Sequence, residues 1–576
     1  MNKKLLILIF IGFNLFISCK NTSDHSVSKS ENFPSELAFD YQSKKNLVSD
    51  SAAVVTAHPL ASEVGKYILK QGGNAIDASI AIQYALAVVY PGAGNIGGGG
   101  FMLIHTSDGK NNSIDFRETA AGKADENMYL DENGEVIPRR SLEGHLAAGI
   151  PGTVAGTFLA HRKYGKISME ELIKPAIELA EKGFVLTEAE AKTLNKSAAL
   201  FKKVNTHSTA FVRDKEWKKG DTLIQKDLAE TLKRISKNGE KEFYEGKTAE
   251  LIVQEMQRGQ GMISLEDLQN YKPKERATRS FSYKGFQIHT MDLPSSGGLM
   301  LEMMLKMLEP FDLKDMGFQN PETIHHIVEV ERRAYADRTT YMGDPDFVDV
   351  PVDMLLDEAY LNEKMKDFIP GKAGKSEEVL PVLQESEQTT HLSVLDQFGN
   401  AVSVTTTLNT HYGSGVVVGG AGFLLNNEMD DFSIKVGVPN EYGLLGTEAN
   451  KIEAGKRPVS SMMPTIVLKE NKPFMVVGTP GGSTIITSVL QSILNVMEFD
   501  LSAEEAVNKP KFHHQWQPDV IYVEQDFDQE VVRELTDMGY ELKERAPIGR
   551  TEMILVKDGK IHSAADKRGD DSAAGF

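Results

Sequence analysis

"EQTTHLSVLDQFGNAVSVTTTLNTHYG", residues 387–413, sets a threonine pair at 389 and 390 and a run of three at 405 to 407. "HLSVLD" and "AVSVTTT" alternate in the two-residue period of strands, and Gly399-Asn400 sits where a hairpin would turn. Threonine favours strands, so β-propensity alone accounts for most of these hydroxyls. It does not account for position. The pair at 389 and 390 follows a polar, charged run and opens the strand, and that placement needs its own explanation.

Working outward, residues from Thr389 onward read mostly as strands: "AVSVTTT", "MPTIVLKE", "PFMVVG". One apolar helix follows, "STIITSVLQSILNVMEF". Upstream, 369–388 ("IPGKAGKSEEVLPVLQESEQ") carries Pro, Gly and charge with no sustained period and reads as a linker. Residues 153–340 have helical periodicity, with a strand pair near "FSYKGFQIHTMD". Pro59 to Lys70 reads as an amphipathic helix stopped by Gly72-Gly73. "NAIDASIAIQYALAVV" is apolar on most faces and predicts a buried helix. Helices, then strands, then a helix on the strands describe a layered α/β or α+β unit.

The chain has 576 residues, 41% hydrophobic and 25% charged, enough for two to four domains or one large layered unit. A net charge of -19 argues against nucleic acid and anionic membrane surfaces as partners. At the N-terminus, Lys3 and Lys4 precede "LLILIFIGFNLFI", an apolar segment short for a bilayer span, which ends at "FISC". Cys19 is the single cysteine, so no disulfide can form within the chain. Residues 1–19 resemble a bacterial lipoprotein signal ending at a lipid-accepting cysteine, and 20–46 read as a polar tether.

Other motifs tempt and fail. "GAGNIG", Gly92 to Gly97, matches G-x-G-x-x-G, but a helix precedes it and a strand follows, the reverse of a dinucleotide site. His325-His326 and His513-His514 lack the spacing and cysteine partners of a zinc site. No G-x-S-x-G elbow is present.

A threonine hydroxyl is a weak nucleophile and needs a base within hydrogen-bond reach. Its own α-amine serves, with a pKa near 8, once the preceding peptide bond is cut. That chemistry requires a cleavable linker, then the threonine, then a strand that holds it. The Gln388–Thr389 junction has this layout.

The segment resembles the γ-glutamyltransferases, autoprocessed members of the N-terminal-nucleophile hydrolases. Thr389, Thr390, His391, Ser393, Gly399, Asn400, Val402, Thr405, Thr407, Asn409, Tyr412 and Gly413 fit that family's signature. "GGNAIDAS", "GNIGGGGF", "DFRETA", "GIPGTVAG", "PSSGG", "LLNNEMDDF", "KRPVSSMMPTI", "GTPGGS" and "FHHQW" follow in family order over roughly residues 48–576.

The resemblance implies an α+β fold, a four-layer αββα sandwich. It implies Thr389 as nucleophile, Thr407 as its supporting hydroxyl, and Gly481 and Gly482 as oxyanion donors. Arg117 with Ser460 and Ser461 would take the α-carboxylate of a γ-glutamyl group, and Asn409, Glu428 and Asp431 its ammonium. Tyr442, in "PNEYGLLG", would gate the site as a lid. Ala121 replaces a common proline. No metal or organic cofactor is implied. The expected partners are glutathione and other γ-glutamyl donors, with water, amino acids or peptides as acceptors. A large piece (47–388) and a small piece (389–576) would form a heterodimer after cleavage between Gln388 and Thr389. With Cys19 lipidated, the protein would be exported, to the periplasm or an outer membrane. Two rivals stand beside this: a glutaryl or cephalosporin acylase of the same fold, and an inactive peptide-binding lipoprotein.

Overall fold

The structure, a computed structural model of the chain, describes residues 33–376 and 389–576. Cys19, the signal-like segment and Gln388 lie outside the described residues. Phe33–Phe576 forms one compact unit.

Two seven-stranded sheets build its centre. One runs in the order Ser572–Gly575, Ala53–Thr56, Thr390–Leu395, Ala401–Thr407, Gly99–His105, Asn111–Asp115, Lys274–Arg276. The other runs Asn46–Ser49, Lys560–Ala565, Glu552–Lys557, Lys472–Gly478, Thr465–Lys469, Phe286–Thr290, Arg279–Tyr283. Every pairing within both is antiparallel.

Alternation along the strands stacks the layers. Ala53, Val55, Leu103, Leu395 and Ala401 of the first sheet pack against Ile466, Val476 and Ile554 of the second. The intervening residues, Val54, Leu392, Val394, Val402 and Val404, face the other way onto the helices Pro59–Lys70 and Ala75–Val89. On the far side Val467, Met475, Val477 and Leu555 meet Ser296–Leu308, Pro321–Tyr341 and Thr484–Met497. With both faces of each sheet covered, the layering is αββα. This is the sandwich expected above.

The central hairpin forms where it was expected. Gly399 takes φ 89° at the turn, the left-handed region open to glycine. Asp396 Oδ1 accepts from Phe398 N and Asn400 N, at 2.8 and 2.9 Å. Its other oxygen accepts from Ala75 N, the first turn of the buried helix, at 2.8 Å. One carboxylate thus closes the turn and caps a helix, where negative charge is favoured.

Two expectations need correction. Part of the supposed tether is packed: Phe33 and Ala38 are buried in the core, and Tyr41 Oη donates to Val185 O at 2.6 Å. Scattered apolar residues among polar ones hid that docking. The start of the supposed linker is also seated. Gly374 N donates to Glu329 Oε1 at 3.0 Å and Ser376 N to Asp519 Oδ2 at 2.8 Å. Residues 377–388 lie outside the described residues.

The tempting histidines serve packing. His325 Nδ1 pairs with Tyr540 Oη at 2.6 Å, and His513 Nδ1 with Thr487 Oγ1 at 2.8 Å. "GAGNIG" leads from a helix into the strand Gly99–His105, as its reading required.

Candidate active site

Thr390 pairs with Thr406 in the hairpin register. One step further along that ladder, Thr389 falls opposite Thr407. Odd-numbered residues of the hairpin point between the sheets: His391 Nδ1 bonds Thr405 Oγ1 at 2.9 Å, and Ser393 Oγ donates to Glu552 O at 3.1 Å. The two threonines therefore open onto the same end of the space between the sheets. There they line one cleft.

The same cleft brings together Arg117, Asn409, Glu428, Asp431, Tyr442, Ser460, Ser461 and Gly482. Gly481 does not line it. Among the described residues, no protein acceptor takes the Gly481 or Gly482 N–H. The pair sits in the loop between the strand ending at Gly478 and the helix starting at Thr484, with φ 143° and 56°. A Cβ on Gly482 would come within 2.5 Å of the Tyr442 ring. Glycine is what lets Tyr442 pack against that backbone.

Arg117 follows the strand Asn111–Asp115 by two residues and turns fully inward. Its guanidinium pairs with Glu428 and Asp431, and also reaches Val459 O at 3.4 Å. Both acidic residues lie in the 3-10 turn Glu428–Asp431, Glu428 buried and Asp431 partly so. Burial alone would lower the arginine's pKa, but Glu428, Asp431 and Glu118 outweigh it and raise it. Burial pushes both cleft carboxyls up, while Arg117 pulls them down. The fork expected on a ligand carboxylate is thus engaged by the residues expected to hold an ammonium. No donor reaches Glu428 Oε2.

Asn409 takes φ 75°. Its N–H donates to Thr407 Oγ1 at 2.8 Å, and its amide to Asn427 O at 3.0 Å. Its carbonyl accepts from Tyr442 Oη at 2.6 Å. Gln515, from "FHHQW", donates to Tyr442 O at 3.2 Å and accepts from Ser483 Oγ at 2.6 Å, tying Tyr442 to the Ser483 loop. Tyr442→Phe leaves the Asn409 carbonyl without that donor, at a cost of about 1–3 kcal/mol. A fivefold or greater rise in KM for a small donor is expected; an unchanged KM would show that the lid is held otherwise.

Sequence reasoning missed Glu118, beside Arg117. Its carboxyl is buried with no donor on either oxygen, and its nearest cation, Arg117 Nη1, stands at 3.8 Å. A Cβ on Gly99 would lie 2.6 Å from it, so only glycine leaves it room. Burial, against the pull of Arg117, raises its pKa to about 8 from 4.5. An acid whose pKa is raised on folding stabilises fully below its unfolded value, and that contribution is lost as pH rises through the folded one. Between about pH 4.5 and 8, wild type should therefore lose stability that Glu118→Gln keeps. Melting curves of both proteins across that range check it; parallel pH profiles would refute it.

Also missed were Tyr335 and Arg338, on the helix Pro321–Tyr341. Tyr335 Oη donates to Ser483 O at 2.5 Å, and Arg338 lines the cleft. Arg338 is one of seven charged residues on that helix, and nothing local singled it out.

An αββα sandwich with a threonine at the head of a central strand defines an N-terminal-nucleophile hydrolase. The gamma-glutamyltranspeptidase family model matches residues 61–576, and the chain belongs to that family. It is 47% identical over 530 residues to the glutathione hydrolase proenzyme of Escherichia coli, covering 91% of each chain. Its fold superposes on cephalosporin acylase from Bacillus halodurans with a TM-score of 0.82 and 25% identity, over 93% of this chain and 98% of that one. Against Helicobacter pylori gamma-glutamyltranspeptidase the TM-score is 0.54 and the identity 46%, over 55% of this chain and 92% of that one.

Proposed function

We propose that the chain is a self-cleaving γ-glutamyltransferase and glutathione hydrolase. The observation that carries this reading is one cleft in which Thr389 faces Thr407 beside a buried Arg117–Glu428–Asp431 cluster.

In the precursor, Thr389 Oγ attacks the Gln388 carbonyl carbon. The peptide nitrogen leaves as the α-amine of Thr389, and an ester remains. Water opens it, giving a Gln388 carboxylate and restoring the hydroxyl. The freed amine then acts as base on that hydroxyl, with Thr407 fixing the geometry. In turnover, Thr389 Oγ attacks the γ-amide carbon of a donor and expels its amine, which takes the proton. The N–H of Gly482, in the cleft, donates to the developing oxyanion, and the family motif assigns the Gly481 N–H the same role. Water or an amine acceptor cleaves the γ-glutamyl ester.

The donor's head group carries one ammonium and one carboxylate. On binding, the ammonium takes over Glu428, Asp431 and Asn409, and the carboxylate takes the released guanidinium, with Ser460 and Ser461 as neutral donors. The exchange leaves the charge count of the buried cluster unchanged, so no charge is stranded. A glutaryl side chain lacks the ammonium and would leave the acidic pair unanswered, which disfavours the acylase reading.

The anchor rests on sequence alone. Cys19 accepts lipid, and the protein is exported and membrane-tethered. Fatty-acid labelling should mark wild type and spare Cys19→Ser; equal labelling of both rules the anchor out.

A denaturing gel beside a glutathione turnover assay tests the main reading. Two bands are expected, the smaller beginning Thr-Thr-His-Leu, together with release of glutamate. A single band without turnover overturns it.

A further inference from the structure

Arg338 is a second buried guanidinium in the cleft. Its Nε donates to Ser296 Oγ at 2.9 Å, and its Nη2 lies 3.4 Å from Ser461 Oγ. Both partners are neutral hydroxyls. Among the described residues, no carboxylate stands within 4.0 Å of it, whereas Arg117 has three within that distance.

The hydrogen bonds have a direction. A guanidinium only donates, and a hydroxyl has one proton to give. Ser461 Oγ must accept from Arg338, so its own proton is left for another acceptor, on the cleft side. Ser296 likewise accepts from Arg338 and passes its proton to Ser460 O, at 2.8 Å. Ser296 N also donates to Ser460 O at 2.8 Å. One arginine therefore fixes the hydroxyl of Ser461 and the backbone of Ser460 together. It also places positive charge behind them with no carboxylate of the described residues inside 4.0 Å, Asp431 acting on it from farther off.

We infer that Arg338 is a positioning residue for an anionic group of the substrate: it turns the Ser461 hydroxyl outward as a donor and supplies the positive field there. Resting on the γ-glutamyl donor reading, it assigns that role to the α-carboxylate. Arg117 meets that carboxylate directly, and Arg338 acts on the same carboxylate through its serines.

The test compares two chromogenic donors, γ-glutamyl-p-nitroanilide and its α-carboxamide analogue, with wild type, Arg338→Lys, Arg338→Met, Ser461→Ala and the double variants. Self-cleavage on a gel reports folding. For the free-acid donor, Arg338→Met should lower kcat/KM about ten- to hundredfold, mostly through KM. Loss on the carboxamide should stay under about threefold, because its head group carries no anion there. Arg338→Lys should recover part of the loss. Because Arg338 acts through Ser461, the double variant should lose less than the product of the single losses.

Equal losses on both donors, or strictly multiplicative losses with Ser461→Ala, overturn the inference. If Arg338→Met does not fold, the same criteria apply to Arg338→Lys and its double variant. Failure of wild type to turn over either donor would instead refute the γ-glutamyl reading.

Discussion

Replacing Thr389 by alanine leaves the chain uncut and unable to turn over γ-glutamyl amides. The hydroxyl serves both steps, so one substitution removes both. Loss of a covalent nucleophile costs about four orders of magnitude or more in kcat, which puts turnover at background. Thr389→Ser keeps an oxygen at the same place opposite Thr407 and should cleave, more slowly. The gel and the N-terminal sequence of the smaller piece are the measurements. A cut Thr389→Ala chain would mean that another residue, or a contaminating protease, breaks it.

Substituting lysine for Arg117 should lower kcat/KM for glutathione about ten- to hundredfold while sparing self-cleavage. The guanidinium meets Glu428 and Asp431 at once and also reaches the Val459 carbonyl. An ammonium keeps the charge but cannot span those groups as a planar fork. The loss of one charge-assisted hydrogen bond, roughly 1.5–3 kcal/mol, sets the range. Arg117→Met goes further and leaves buried carboxylates unbalanced, about 3–5 kcal/mol, so its melting temperature should fall as well. A donor with its α-carboxylate blocked should suffer little further loss in Arg117→Lys. Equal loss on both donors would make Arg117 a brace for Glu428 and Asp431 and nothing more.

The opening threonines show how much could be read without coordinates. The strand reading of Thr405 and Thr406 was right: their hydroxyls are spent on His391 and on Gly99 O, at 2.9 Å each. Thr389 and Thr407 stood apart through position and through the family's motif, and the ladder sets them opposite one another. The helix Pro59–Lys70 was legible to the residue because proline and a Gly-Gly pair bracket an apolar stripe. Arg338 and Glu118 were not legible. Their roles come from being buried without a carboxylate or a donor, and no local pattern records what lies across a fold. The engagement of Arg117 by Glu428 and Asp431 was hidden for the same reason: motif order names the ligands and says nothing of how they pair with each other.

The order of strands has a further consequence once the bond before Thr389 is cut. In the first sheet Ala53–Thr56 lies between Ser572–Gly575 and Thr390–Leu395, and Ala401–Thr407 lies against Gly99–His105. In the second, Asn46–Ser49 lies against Lys560–Ala565, and Phe286–Thr290 against Thr465–Lys469. The two products are woven through each other, and neither owns a complete sheet. Pulling them apart would bare strand edges on both, which invites aggregation. Once separated, they would have to find each other again as two molecules, without the covalent link that first aligned them. Cleavage there would therefore turn one chain into a pair that, once parted, must reassemble from two molecules. The working lifetime of the cut enzyme is then set by how slowly it comes undone, not by an equilibrium with an unfolded state.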